Sequence, residues 1–289
     1  MAALLETIPA LIGGFARNVA GALLAAALIC CSGKMAAAAD DLYRAQTVVT
    51  GQGEPNRLIG FGACLEDVLI KVSGKPALAG DRRLTAYKSK AKAFVTDFSY
   101  HDQFAGKPHR DEQGTRDRPY DLTAAFDDKK IDGILGELGL KPWRAQRPVL
   151  GVFIEMQQGP KDFVVTADSA QSDLQRDAIA AAADKRGMRV VLPSAAALTS
   201  SGITAAELQK VSPAKLTSIV APQGGEVALM GRLVWNDRDL GWVTQYRMAW
   251  RGRDYTWQFR GVSFDEAFRR GIGGAAQVLS GNGDPGRSK

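Results

Sequence analysis

A run of alternating residues near the carboxyl end constrains the fold of this chain more than any other feature. Leu229, Gly231, Leu233 and Trp235 alternate with Met230, Arg232 and Val234; Trp242, Thr244, Tyr246, Met248 and Trp250 alternate with Gln245, Arg247 and Ala249; Tyr255, Trp257 and Phe259 alternate with Thr256, Gln258 and Arg260. A period of two places one set on each face of a strand, so the spacing predicts a three-stranded antiparallel meander with one apolar, aromatic face and one polar face. Residues 236–241 and 251–254 supply the Asn, Asp and Gly that tight turns require. Ser263 and Glu266 then form a capping box, after which Phe264, Phe268, Ile272, Ala275, Ala276 and Leu279 recur at helical spacing. That helix is expected to cover the apolar face, with Trp235, Trp242, Trp250 and Trp257 as core beneath it.

The opposite end reads as export machinery. Val19 to Cys31 carries no charge and is followed by the alanine run Ala36–Ala39, the pattern of a signal-peptide core before an A-x-A-like cleavage site. An apolar core of about 13 residues is shorter than the roughly 20 needed to span a bilayer. Residues 1–39 are therefore expected to be a signal peptide and the protein periplasmic; the alternative is an inner-membrane anchor formed by an uncleaved N-terminal segment. Cys30 and Cys31 belong to that segment, which leaves Cys64 as the remaining thiol and no partner for an internal disulfide. A net charge of +6 on 289 residues is mild, and for an exported protein it argues against nucleic acid as a partner.

Between these ends the chain alternates strand and helix signals. Asp41–Thr50 reads as a strand broken at Gly51–Pro55. A helix follows over 56–72, with Leu58, Phe61, Leu65, Val68, Leu69 and Val72 on one stripe and Gly74 closing it. A short basic helix carries Leu84, Tyr87 and Ala91 inward and Lys88, Lys90 and Lys92 outward. Strands at 94–100 and 120–126 flank a polar loop, and a helix with Ile131, Ile134, Leu135 and Leu138 on one face begins at Asp127-Asp128. Residues 142–148 read as a stiff connection. Beyond it come an apolar strand over 149–156, a strand over 163–166, a helix to Arg186 with Leu174, Ala178, Ala181 and Ala182 inward, a short strand at 188–192 and two short helices near 204 and 213–220. This gives an α/β protein of α+β character: an N-terminal half over 40–147, a C-terminal half over 148–280, mixed or antiparallel sheets covered by helices, and a disordered tail over 281–289.

The order of features resembles a bacterial family catalogued as a domain of unknown function, family 2066, found in exported proteins. The resemblance lies in Asp41-Leu42-Tyr43 after the signal segment, Leu65–Gly74, Gly139–Pro148, Arg186-Gly187-Met188 leading into Val190–Pro193, and Gly231-Arg232-Leu233. It implies an exported protein and brings no catalytic residues to place. This chain has Pro142-Trp143-Arg144 where relatives carry Pro-x-Trp-Gly.

Few residues carry obvious chemistry. Gly51-Gln52-Gly53 precedes a helix, but Asn56 replaces the third glycine of a dinucleotide loop and Pro55 removes a backbone donor, so a plain turn is expected. The two histidines, His101 and His109, sit in or beside the polar loop with Asp102, Asp111 and Glu112, and they are the only material for acid–base or metal chemistry. Asp237 and Asp239 read as a hairpin turn rather than a calcium loop. The polar sheet face, with Arg232, Gln245, Arg247, Gln258 and Arg260, is the candidate surface for an anionic ligand or partner. The expected function is a non-enzymatic module that binds an envelope protein or polymer, with no cofactor and no metal. The alternative is a periplasmic hydrolase built on His101 and His109.

Overall fold

The computed structural model describes residues 42–106 and 118–287; residues 1–39, expected to be a signal peptide, and His109 lie outside them. The fold is mixed α/β, with two sheets in one compact unit. The first sheet is antiparallel, in the order β1 (Arg44–Thr50), β3 (Pro119–Phe126), β2 (Val95–Asp102). Helix α1 (Glu54–Ser73) packs on its inner face, because Phe61, Cys64, Leu65, Val68, Leu69 and Val72 form one stripe facing Val49, Leu122 and Ala124. Gly60 lets helix and sheet approach closely: a Cβ there would lie 2.7 Å from a Val49 methyl. Leu58, expected inward, is exposed, since it falls on the helix shoulder beyond the sheet. The basic segment folds as a short helix α2 (Thr85–Lys88) between 3-10 turns, with Lys88 on Glu66 at 2.6 Å and Lys92 on Glu54 at 2.9 Å. Helix α3 (Asp128–Glu137) is capped by the Asp127 carboxylate, which accepts from the Lys130 amide.

The second sheet runs β5 (Lys161–Val164), β4 (Leu150–Gln158), β7 (Val227–Asn236), β8 (Gly241–Trp250), β9 (Arg253–Val262), with β6 (Val190–Val191) parallel to the start of β4. The β7–β8–β9 meander and helix α8 (Phe264–Leu279) stand where the alternation places them, and Ser263 caps α8 by accepting from Glu266 N–H. The β4–β7 pair is parallel. Tyr246 and Trp257 stack at 5.7 Å under α8, and the Tyr246 hydroxyl donates to the Ala267 carbonyl at 2.8 Å. Three glycines in α8 would ordinarily weaken a helix. Here Gly271 and Gly274 lie directly against the rings of Tyr246 and Trp257, where a Cβ has no room.

The opposite face of this sheet is not uniformly polar. Phe153, Ala228 and Met230 are buried there under α5 (Ala195–Ser200), α6 (Ala205–Leu208) and α7 (Pro213–Val220), whose Leu198, Leu208, Leu216 and Val220 form a separate core. Helix α4 (Asp173–Asp184) buries Ile179, Ala182 and Ala183, whereas Leu174, expected inward, is 69% exposed and Ala181 is exposed as well. The apolar stripe begins one turn later than the sequence suggests because a 3-10 turn at Ala170–Ser172 rotates the helix start.

The halves meet at the end of α1. Its last carbonyls have no partner within the helix, and the connection at 142–148 and the segment closing α8 supply them. Arg147 donates to Lys71 at 2.7 Å, the Trp143 amide to Val72 at 2.8 Å, Asn282 to Ser73 at 2.8 Å and the Ser280 hydroxyl to Gly74 at 3.3 Å. The segment 281–287, expected to be without order, is thus tied back through Asn282 and closes with a 3-10 turn at Pro285–Arg287. Arg147 is 8% exposed and also donates to the Arg186 and Gly187 carbonyls after α4. It stacks on Trp143 at 4.2 Å. A guanidinium at two helix C-termini meets the negative end of both dipoles, so no carboxylate is needed there; burial still pushes its pKa down to about 10.

Candidate functional site

The sheet face expected to bind anions is largely spoken for by the fold. Arg247, expected exposed, lies under the α6–α7 connection and donates to the Gln209 and Val211 carbonyls at 2.8 and 2.6 Å. It clamps that connection and is not a free recognition group. Arg232 pairs with Glu155 at 2.9 Å, a carboxylate only 4% exposed, and reaches Gln157 at 3.1 Å; Gln209 donates to the other Glu155 oxygen at 2.7 Å. The pair satisfies a buried charge, which is costly to leave alone. Arg260 remains at the rim, 3.5 Å from Asp239, and Gln245 and Gln258 are exposed neighbours across β8 and β9. What is left of the face is a polar surface whose charges are mostly answered from within.

The histidine material is not assembled into a site among the described residues. His101 sits on the outer face of the first sheet, 75% exposed, with Nδ1 3.4 Å from Asp121 across the strand pair. Asp102 points the other way, toward the Phe104 amide and Arg118. His109, Asp111 and Glu112 lie outside the described residues. Among the described residues no group of three or more His, Cys, Asp or Glu side chains could hold a metal, and no helix is long and apolar enough to cross a membrane. At the Gly51 turn, the Asn56 amide donates to the Thr50 carbonyl and Glu54 occupies the first turn of α1. A carboxylate there repels an anion, in keeping with a plain turn.

A concave site forms elsewhere, at the far end of the meander. The β8–β9 turn places Arg251 at φ 49° and Gly252 at φ 74°, a two-residue turn whose twist suits the flanking strands. Trp250 and Arg253 pair across it. The turn overhangs a cleft of 390 Å³ lined by Trp143 and Ala145 of the connection, Trp250, Arg251, Arg253 and Tyr255 of the hairpin, and residues 278–281 at the end of α8. Trp250, expected to be buried core, is half-buried because α8 ends at Leu279 before covering it. Its ring has the Arg251 guanidinium 5.5 Å from the centroid, within cation–π reach. Val278 and Leu279 form an apolar floor, and Ser280 marks the helix end. Among the described residues no acidic side chain lines the cleft.

A larger hollow of 690 Å³ lies beside Asp184, Arg189 and Glu226. It opens at the amino ends of β4, β6 and β7, whereas open α/β sheets hold ligands at the carboxyl ends, and its opposed charges favour no one ligand. The cleft is therefore the stronger candidate. Sequence reasoning missed it because its walls come from three segments distant in the chain. The local signal was the sequence Trp250-Arg251-Gly252-Arg253-Asp254-Tyr255, two arginines between two aromatics on a turn.

Comparison with known proteins corrects the family resemblance. The family model of a domain of unknown function (DUF8605) matches residues 36–144. This is a different family from family 2066, whose naming is thereby overturned; the motifs that suggested it in the second half fall outside the matched residues. Short segments such as Gly231-Arg232-Leu233 are what any glycine-containing sheet strand can present, which is why they misled. No curated protein and no solved structure matches the chain significantly.

Proposed function

We propose that the protein is an exported, non-enzymatic binding module that holds an envelope protein or polymer in the cleft under the β8–β9 turn. The observation that carries this reading is the composition of that cleft: half-buried Trp250 and Tyr255 beside two exposed arginines, with no acidic residue among the described residues that line it. Aromatic and arginine side chains dominate contact surfaces because they supply large apolar area and directional donors together. The uncharged run Val19–Cys31 before Ala36–Ala39 supports export to the periplasm.

The test is co-sedimentation of purified protein with a washed bacterial envelope fraction. The double variant Arg251→Asn/Arg253→Glu should reduce the bound fraction at least about tenfold, since each lost charged hydrogen bond is worth about 1.5–3 kcal/mol. Arg260→Gln and His101→Ala should leave it unchanged. Undiminished sedimentation of the double variant would sink the reading; loss confined to His101→Ala would favour hydrolytic chemistry on the first sheet.

A further inference from the structure

The geometry points to an acidic saccharide, a sugar polymer bearing ring carboxylates, as the ligand of the cleft. This rests on the cleft being the contact surface. Four features of the site converge on that chemistry. Arg251 and Arg253 stand at its mouth without an ion-pair partner among the described residues, while Arg232 and Arg260 on the same sheet are paired with Glu155 and Asp239. A planar guanidinium fork matches a carboxylate with two parallel hydrogen bonds. The half-buried rings of Trp250 and Tyr255 offer electron-rich faces, against which the apolar, weakly electropositive C–H face of a pyranose stacks. At the back, the cleft meets the C-terminal end of α8 at residues 278–281, where the helix dipole does not favour a second anion. The acid is thereby directed to the mouth and the uncharged ring to the apolar floor.

An acidic peptide fits less well. Extended peptides are held chiefly by main-chain hydrogen bonds along an open strand edge. The edge beside this cleft is β9, and the turn at Pro285–Arg287 already sits on it, with Gly286 so close to the Thr256 carbonyl that no side chain could be added. A volume of 390 Å³ falls within the roughly 300–1,000 Å³ of small-ligand sites, enough for a short stretch of sugar rings.

Tryptophan fluorescence of the purified protein, with Trp143 and Trp250 as reporters, tests the assignment against three probes: trigalacturonic acid, neutral maltotriose and a hexaglutamate peptide. Trigalacturonic acid should quench saturably and bind at least about tenfold more tightly than either other probe. Arg251→Asn keeps a residue that tolerates the left-handed backbone, so it tests the guanidinium without disturbing the turn. That variant and Arg253→Gln should each weaken trigalacturonate binding about tenfold, and added salt should weaken it further; Arg260→Gln should not. Equal binding of maltotriose overturns carboxylate recognition. Equal or tighter binding of hexaglutamate makes the ligand an acidic peptide. Failure of every probe, with envelope co-sedimentation still lost in Arg251→Asn/Arg253→Glu, overturns the saccharide while leaving the cleft as the contact surface. Failure of both overturns the two together.

Discussion

The three-stranded sheet buries one face and leaves the other to water, whereas the central strands of the six-stranded sheet are covered on both. On the outer face of the first sheet, Gln46, Val48, Ser99 and His101 are all exposed. In the second sheet, Val152 and Leu229 pack toward α8 while Phe153, Ala228 and Met230 pack toward α5–α7. The difference follows from the connections. Antiparallel neighbours need only one covering layer, while the parallel β4–β7 pair requires a long crossover. Residues 165–226 supply that crossover, and its helices lie on both sides of the sheet. Part of β8 and β9 lie beyond this second layer, so the open polar surface falls there; the cleft lies on the other face, where α8 ends at Leu279 before covering Trp250.

Arg147 is the point at which the two regions depend on each other, and its loss should have the largest effect. Arg147→Ala removes a charged donor from the Lys71 and Arg186 carbonyls and opens a space beside Trp143. Each buried carbonyl deprived of its charged donor costs about 1–3 kcal/mol, and the space left beside Trp143 adds to that. Urea unfolding should show that loss. If the halves are coupled through this residue, the variant should melt in two separated steps, whereas the parent melts in one. A single step with unchanged midpoint would mean that Trp143, Ser280 and Asn282 suffice to join them.

The junction was not legible in the sequence. Residues 142–148 read as a stiff linker because the partners of Arg147 are backbone carbonyls, which every residue has and no pattern advertises. The meander, α8 and the inner stripe of α1 were legible, since each depends on periodicity over a single segment. Arg247 was misplaced for the converse reason. Its alternation was read correctly, but the face it occupies is covered by helices from elsewhere in the chain, and period two cannot say what lies on a polar face. The α8 glycines offered a signal that went unused. Gly271 and Gly274 weaken a helix unless something large must pass close by, and the large groups were Tyr246 and Trp257 one element upstream.

Alkaline pH should separate the two cores. Burial, with the nearby Asp67 charge, pushes the Cys64 thiol up to about 12, while an unfolded thiol ionises near pH 8.5. The neutral form is thus favoured by folding. This contribution is present in full below about pH 8.5 and is lost as pH rises toward 12, amounting to about 2 kcal/mol by pH 10. Tyr246, raised by burial under α8, adds its own loss only above the ordinary tyrosine range near 10. Stability between pH 8.5 and 10 should therefore fall in the parent and stay level in Cys64→Ala. Identical slopes would place the sensitivity outside the first core. Rapid labelling of the thiol without denaturant would contradict its burial directly.

The smallest effect sharpens the comparison most, because the same substitution should have opposite signs in the two halves. In α8 a Cβ on Gly271 would press into the Tyr246 ring, and the stack with Trp257 leaves that ring no direction to move. Overpacking of this kind costs about 1–3 kcal/mol. In α3, Gly133 is exposed and has nothing within 4 Å of the equivalent position. Alanine there meets no neighbour and removes conformational freedom from the unfolded chain, a gain of about 0.4–1 kcal/mol. Gly271→Ala should thus lower the unfolding midpoint and Gly133→Ala should raise it. If both raised it, α8 would have slack against the sheet, and its glycines would owe nothing to the aromatic rings beneath them. If both lowered it, α3 would be packed against something on its outer side, and the first half would not be covered on one face alone.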